Sequence, residues 1–205
     1  EDQHLEFKKS LFLMPNGRRH KDWLYLISKE VAGFLNNGGG ELYIGVEDLT
    51  SAKPRVVGIG EDIKWVKEEE NKKISSEIKK IKAKLVEKNI TKKEKEESNK
   101  KLKNLSLLDE NGAKDKLLKM LGQRLQVDVK KYSFDQLDIE IKKIQFKQII
   151  RISVPHIGGI KIPKMKVPIK SDIEKENKYV CKVWKSVLFI RRLADTQPDS
   201  YIDEK

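Results

Sequence analysis

Two short stretches carry the residue types that could do chemistry: EDQHLEFKK at Glu1–Lys9 and GVED at Gly45–Asp48. The first holds Glu1 and Glu6, with Lys8 two places beyond; the second ends on Asp48 after a run of apolar alternation. If Glu1 folds alongside Glu6, and a glycine-rich turn returns a second strand next to the first, three carboxylates meet. Such groups repel one another, and a divalent cation is the usual remedy; hard oxygen ligands select Mg²⁺ or Mn²⁺. An ion held there would bind a phosphodiester and activate a water to attack it, with Lys8 placed to neutralise phosphate charge. A plainer alternative stays open. Glu6 and Lys8 share one face of a strand, and on a polar sheet face they would form an ordinary surface ion pair of little energetic consequence.

Other constellations offer less. His4, His20 and His156 are scattered and lack metal-ligand spacing. The single cysteine, Cys181, excludes an internal disulfide framework and a cysteine-ligated zinc site; within YVCKVW it reads as a small core residue. The glycines of NNGGG (Asn36–Gly40) follow a helical pattern instead of preceding one, so they read as a helix cap and tight return, not a phosphate loop.

The elements that must position these residues can be read from periodicity. In LEFK, Leu5 and Phe7 alternate with Glu6 and Lys8, the period of a half-buried strand. MPNGRR is a turn. A helix is expected from Asp22 to Leu35, with Trp23, Leu26, Ile27, Val31, Phe34 and Leu35 as its stripe. Leu42, Ile44 and Val46 mark a second strand with Asp48 just past its end, and RVVGIG a third. Residues 67–103 hold 14 lysines and 8 glutamates without an aromatic, Gly or Pro. They predict a long charged helix or helical hairpin, frayed around ITKKEKEESNKK, that serves either as a basic arm or as a solvated insertion. KDKLLKMLGQRL predicts an amphipathic helix. LDIEIKKIQF predicts a strand with a bulge or break near Lys142 and Lys143, and QIIRISVP a strong strand. HIGGIKIPKMKVPIK reads as a basic loop; YVCKVW and SVLFIRRL read as strands that could form a hairpin. The pattern predicts an α+β fold, a mixed or antiparallel sheet flanked by helices.

The chain has 205 residues and a formal charge of +12. One domain over 1–205 is expected, with 67–130 as a helical insertion within it. The charge favours nucleic acid, an anionic surface or an acidic partner, and is also compatible with a merely solvated surface. No apolar run is long enough to span a bilayer, and no signal-peptide pattern opens the sequence. The expectation is therefore no membrane partner and a cytoplasmic, intracellular location that leaves the nucleus open.

The order E-x4-EFK, a helix ending AGFLNNGGGELYIGVED, and then VVGIG resembles the Schlafen-type AlbA_2 domain. The later SVP and VLFIRRLADTQPDS resemble that family's closing strand and small-residue tail. The likeness covers roughly 1–63 and 140–200, and 67–130 stands outside it.

The resemblance implies a metal-dependent endoribonuclease, or a catalytic subunit of one, cleaving tRNA or another structured or precursor RNA. Carried over by motif, the Mg²⁺ or Mn²⁺ ligands and catalytic residues are Glu1, Glu6 and Asp48, with Glu47 a fallback for Asp48. Lys8 matches the lysine of EFK. Lys161, Lys164, Lys166, Arg191 and Arg192 would track the RNA backbone, although Arg191 and Arg192 point to opposite faces of a strand. The large Schlafen proteins close two such lobes around RNA, so this chain would pair as a homodimer or with related Schlafen-like chains. A nucleic-acid-binding or regulatory module without catalysis, and an assembly subunit of a Schlafen-like nuclease complex, remain alternatives.

Overall fold

The computed structural model describes residues 4–14, 16–36, 38–49, 52–87, 90–128, 137–156, 164–168, 181–192 and 195–202. In chain order the elements are β1 (Leu5–Lys8), a 3-10 turn (Lys21–Leu24), α1 (Tyr25–Asn36), β2 (Gly40–Ile44), β3 (Val46–Leu49) and β4 (Ala52–Val56). These are followed by α2 (Gly60–Val86), α3 (Lys92–Asn104), α4 (Glu110–Asp128), β5 (Asp138–Ile144), β6 (Lys147–Val154), β7 (Lys164–Pro168), β8 (Cys181–Arg192) and β9 (Asp195–Ile202). The fold is α+β. Two compact units divide it, one from residues 1–60 and 120–205, the other from 61–119, with boundaries at the start of α2 and inside α4.

The first unit is built on a mixed four-stranded sheet of order β1-β2-β6-β5, in which β1 runs parallel to β2 and the other neighbours are antiparallel. One face is apolar: Leu42, Ile44, Ile150 and Ile152 are fully buried. Helix α1 touches β2 and β6 as well as the sheet β7-β8-β9. The helix begins at Tyr25, with Trp23 on the 3-10 turn before it; of the expected stripe Ile27, Val31, Phe34 and Leu35 are buried and Leu26 is half-buried. The helix stops as the glycine run requires. The Gly39 N–H donates to Phe34 O at 2.8 Å. Gly39 has φ +86°, and a Cβ there would lie 2.7 Å from Val154 O, so no other residue fits without displacement.

Several expected boundaries move. The run Leu42–Ile44–Val46 is not one strand, because Gly45 at φ +93° separates β2 from β3. The third strand is AKPRV instead of RVVGIG; Val57 and Gly58 turn away, both donating to Gly45 O at 2.8 Å. No slip occurs at Lys142 or Lys143, which pair regularly with Ile149 and Gln148. The parity changes because Gln145 and Phe146 form a two-residue turn at φ 49° and 64°, the signs of a type I′ hairpin. Part of the expected basic loop is strand β7, since Lys164–Val167 pair in register with β8. YVCKVW and SVLFIRRL do not make a hairpin with each other: Cys181–Arg192 is one strand, and the small-residue tail beyond it is β9.

In the unit of residues 61–119, α2 buries Asp62, Ile63 and Val66 in its first turns. Asn71 ties the segment after α3 to α2, its Nδ2 donating to Leu108 O at 3.1 Å while the Leu108 N–H donates to Oδ1 at 2.7 Å. The segment ITKKEKEESNKK is not frayed. Thr91 caps α3 with a reciprocal box, its hydroxyl accepting from the Glu94 N–H and the Glu94 carboxylate accepting from the Thr91 N–H. Among the described residues no helix is long and apolar enough to cross a membrane.

Candidate carboxylate site

Strand β1 is inverted relative to its sequence pattern. Glu6 is 4% exposed, while Leu5 and Phe7 are only half-buried. Register explains this: Glu6 aligns with Leu42 and Lys8 with Ile44, which in turn align with Ile152 and Ile150. Glu6 and Lys8 therefore lie on the core face under α1, not on a polar outer face. Phe7 lies on the other face with Tyr43, their rings 6.0 Å apart.

A buried carboxylate is costly unless paired, and here it is paired. Lys8 Nζ donates to Glu6 Oε1 and stands 3.5 Å from Glu30 Oε1, while Lys29 Nζ is 3.6 Å from the same Glu30 oxygen. Glu30, on α1, is 3% exposed. The cluster thus joins two buried carboxylates to two lysines. The sequence does not advertise Glu30 as functional, but one signal exists. It lies three residues after Ile27 and four before Phe34, on the apolar stripe of the helix, where a charge is out of place.

Asp48 is reached through the Gly45 bend. The Gly45 N–H donates to Lys8 O at 2.8 Å, and β3 then lies against β1. The β3–β4 ladder pairs Val46 with Val56 and Glu47 with Arg55, then shifts register before Leu49. Asp48 sits in that irregularity and is exposed, inside the strand instead of beyond its end. Bulges re-aim side chains in this way. Glu47 is committed elsewhere: its Oε1 accepts from Lys9 Nζ at 2.6 Å and its Oε2 from Arg55. Hydrogen bonds from Lys9 and then Arg55 hold its carboxyl below the usual range. Of the two acidic residues in GVED, Asp48 is the exposed one.

Glu6 and Asp48 thus come from touching strands, one carboxylate buried and the other exposed. Glu1 and Lys161 lie outside the described residues. Among the described residues no three His, Cys, Asp or Glu side chains converge. Lys164 and Lys166 fall on β7, and Arg191 and Arg192 are consecutive on β8, paired with Thr196 and Asp195 of β9.

Two further groupings escape sequence reasoning because their members are far apart in the chain. On the outer face of the sheet, Arg151 donates to Glu41, and to Glu140 at 2.7 Å, while the Tyr43 hydroxyl donates to Glu41. The Arg151 and Tyr43 hydrogen bonds hold the Glu41 carboxyl low, and those from Arg151 and Lys142 do the same for Glu140. Burial, and then the bond to Glu41, raises the Tyr43 phenol. At the glycine turn, His4 Nδ1 lies 2.9 Å from Gly39 O, which sets that nitrogen as the donor. A Cβ on Gly38 would lie 3.5 Å from the His4 ring and 3.7 Å from that of His156, so the turn brings both imidazoles to one place.

No curated protein and no solved structure matches the chain. The family model described as Schlafen, AlbA_2 matches residues 1–198, nearly the whole chain including the helical unit. The motifs around Glu6 and Asp48 and the sheet that carries them thus have their context: the chain belongs to the Schlafen AlbA_2 family.

Proposed function

We propose that the protein is a metal-dependent endoribonuclease, or the catalytic subunit of one, acting on tRNA or another structured or precursor RNA. Glu1, Glu6 and Asp48 would hold Mg²⁺ or Mn²⁺, and such an ion would supply an activated water and charge stabilisation at the scissile phosphate. The observation that carries this reading is Glu6. It is 4% exposed and in register with Leu42, where an apolar residue would serve the fold better. A carboxylate kept at such a position is accounted for by chemistry. Asp48, exposed at a bulge on the adjoining strand, supplies a second oxygen donor. The basic residues Lys161, Lys164, Lys166, Arg191 and Arg192 would follow the RNA backbone. The groove would be completed by a second copy of the chain or a related Schlafen-like chain.

A second reading, a nucleic-acid-binding module without catalysis, draws on Lys8, which already occupies Glu6 Oε1. One comparison separates the two. The protein, Glu6→Ala and Asp48→Ala are incubated with tRNA and with duplex DNA, in Mn²⁺ or EDTA. The nuclease reading expects RNA cleavage that needs Mn²⁺ and is lost in both variants. Salt-sensitive binding without cleavage, indifferent to metal and to both substitutions, selects the binding module.

A further inference from the structure

The hairpin between β5 and β6 ends in a turn that works against the fold. Gln145 and Phe146 both have φ in the left-handed region, 49° and 64°. Asn-Gly or Asp-Gly would adopt this turn with little strain. A bulky aromatic at positive φ is unfavourable, and Phe146 gains no packing in return: it is 94% exposed. The surroundings are basic. Lys142, Lys143 and Lys147 flank the turn, and no Asp or Glu occurs between Ile141 and Val154. Lys143 Nζ lies 5.9 Å from the Phe146 ring centroid. Lys147 Nζ donates to Val56 O at 3.0 Å, which ties the base of the hairpin to the body of its unit.

We propose that Phe146 is a stacking platform for an unpaired nucleobase, with Lys143 meeting an adjacent phosphate. An exposed aromatic beside lysines is how single strands are held without regard to sequence, and bases in RNA loops and bulges are open to such stacking. Within 141–154 there is no Asp or Glu, and Glu140 just before it is taken up by Lys142 and Arg151, which favours a polyanion over an apolar protein pocket. The proposal rests on the nucleic-acid-binding reading of the family, but not on catalysis or on a metal.

The test measures binding of a labelled single-stranded RNA and of an abasic phosphodiester strand of equal length. The proteins are wild type, Phe146→Ala, Phe146→Trp and the double variant Gln145→Asn with Phe146→Gly. Phe146→Ala is expected to weaken RNA binding about ten- to a hundredfold, the range for one base–aromatic stack, and to leave abasic-strand binding unchanged. Phe146→Trp retains RNA affinity. The double variant melts at a higher temperature than wild type yet binds RNA as poorly as Phe146→Ala, so stability and binding move in opposite directions.

Equal RNA affinity of wild type and Phe146→Ala would overturn the proposal, as would an equal loss on the abasic strand. So would a loss confined to vesicles of phosphatidylserine and phosphatidylcholine, which would mark the turn as a membrane contact. A wild-type protein that binds neither strand would sink the nucleic-acid reading itself, which is a distinct result from a silent Phe146→Ala.

Discussion

The energetics of the candidate site turn on three side chains, Glu6, Lys8 and Glu30. Both carboxylates are 5% exposed or less in their side chains and Lys8 is 28% exposed, so its ammonium serves two groups that water barely reaches. Removing one member of such a cluster strands the others. Lys8→Met is therefore expected to destabilise the fold by about 3 kcal/mol, the lower end for a broken buried pair because Lys29 still faces Glu30. Lys9→Met, one residue along, removes a pairing with Glu47 that stands in solvent and should barely move the urea midpoint. Equal midpoints for the two variants would mean that Lys8 is not the counter-charge of a buried pair. The same geometry bears on function: a cation arriving at Glu6 must displace or accommodate an ammonium already there.

The outer face of the four-stranded sheet makes an element-scale prediction about pH. Glu41 on β2 and Glu140 on β5 converge on Arg151 of β6, and both carboxyls are held below their ordinary 4.5 by its hydrogen bonds. A group whose pKa is depressed by folding stabilises the native state above its unfolded value, and that contribution is lost as pH falls through the folded value. The stability gap between wild type and Arg151→Met should thus be fully present at neutral pH. It should begin to close below about 4.5 and be smallest at the acid end, read from urea denaturation at several pH values. A gap independent of pH would assign Arg151 a packing role instead.

Legibility follows the same line between local and distant causes. The α1 stripe and its glycine stop could be read from periodicity and from the need for positive φ. The position of Glu6 could not, because strand alternation identifies two faces without saying which one a helix covers; the deciding partner, Glu30, is 24 residues away. Gly45 was masked by an apolar alternation that stays in phase across the bend. The Gln145–Phe146 turn lacks the Asn-Gly signature, so the change of parity was expected at the lysines before it.

At the scale of the whole molecule, the helical unit differs from the sheet unit in how much it buries. Residues 61–119 carry 18 lysines against 13 Asp and Glu, a net +5 of the chain's +12, so the excess is spread over both units. Buried positions in α2 stop at Val66, and α3 buries only Ser98. Between Ile74 and Asn104 helicity rests on capping and on exposed side-chain pairs such as Lys84 with Glu94 at 3.5 Å, each worth little. In the sheet unit, Leu42, Ile44, Ile150 and Ile152 are fully buried on paired strands. Local opening follows buried contact. Hydrogen exchange should therefore find the amides of 74–104 opening far more readily than those of β2 and β6, whose exchange should follow global unfolding in urea. Exchange of both segments at one common free energy would show that the helices fold cooperatively with the sheet.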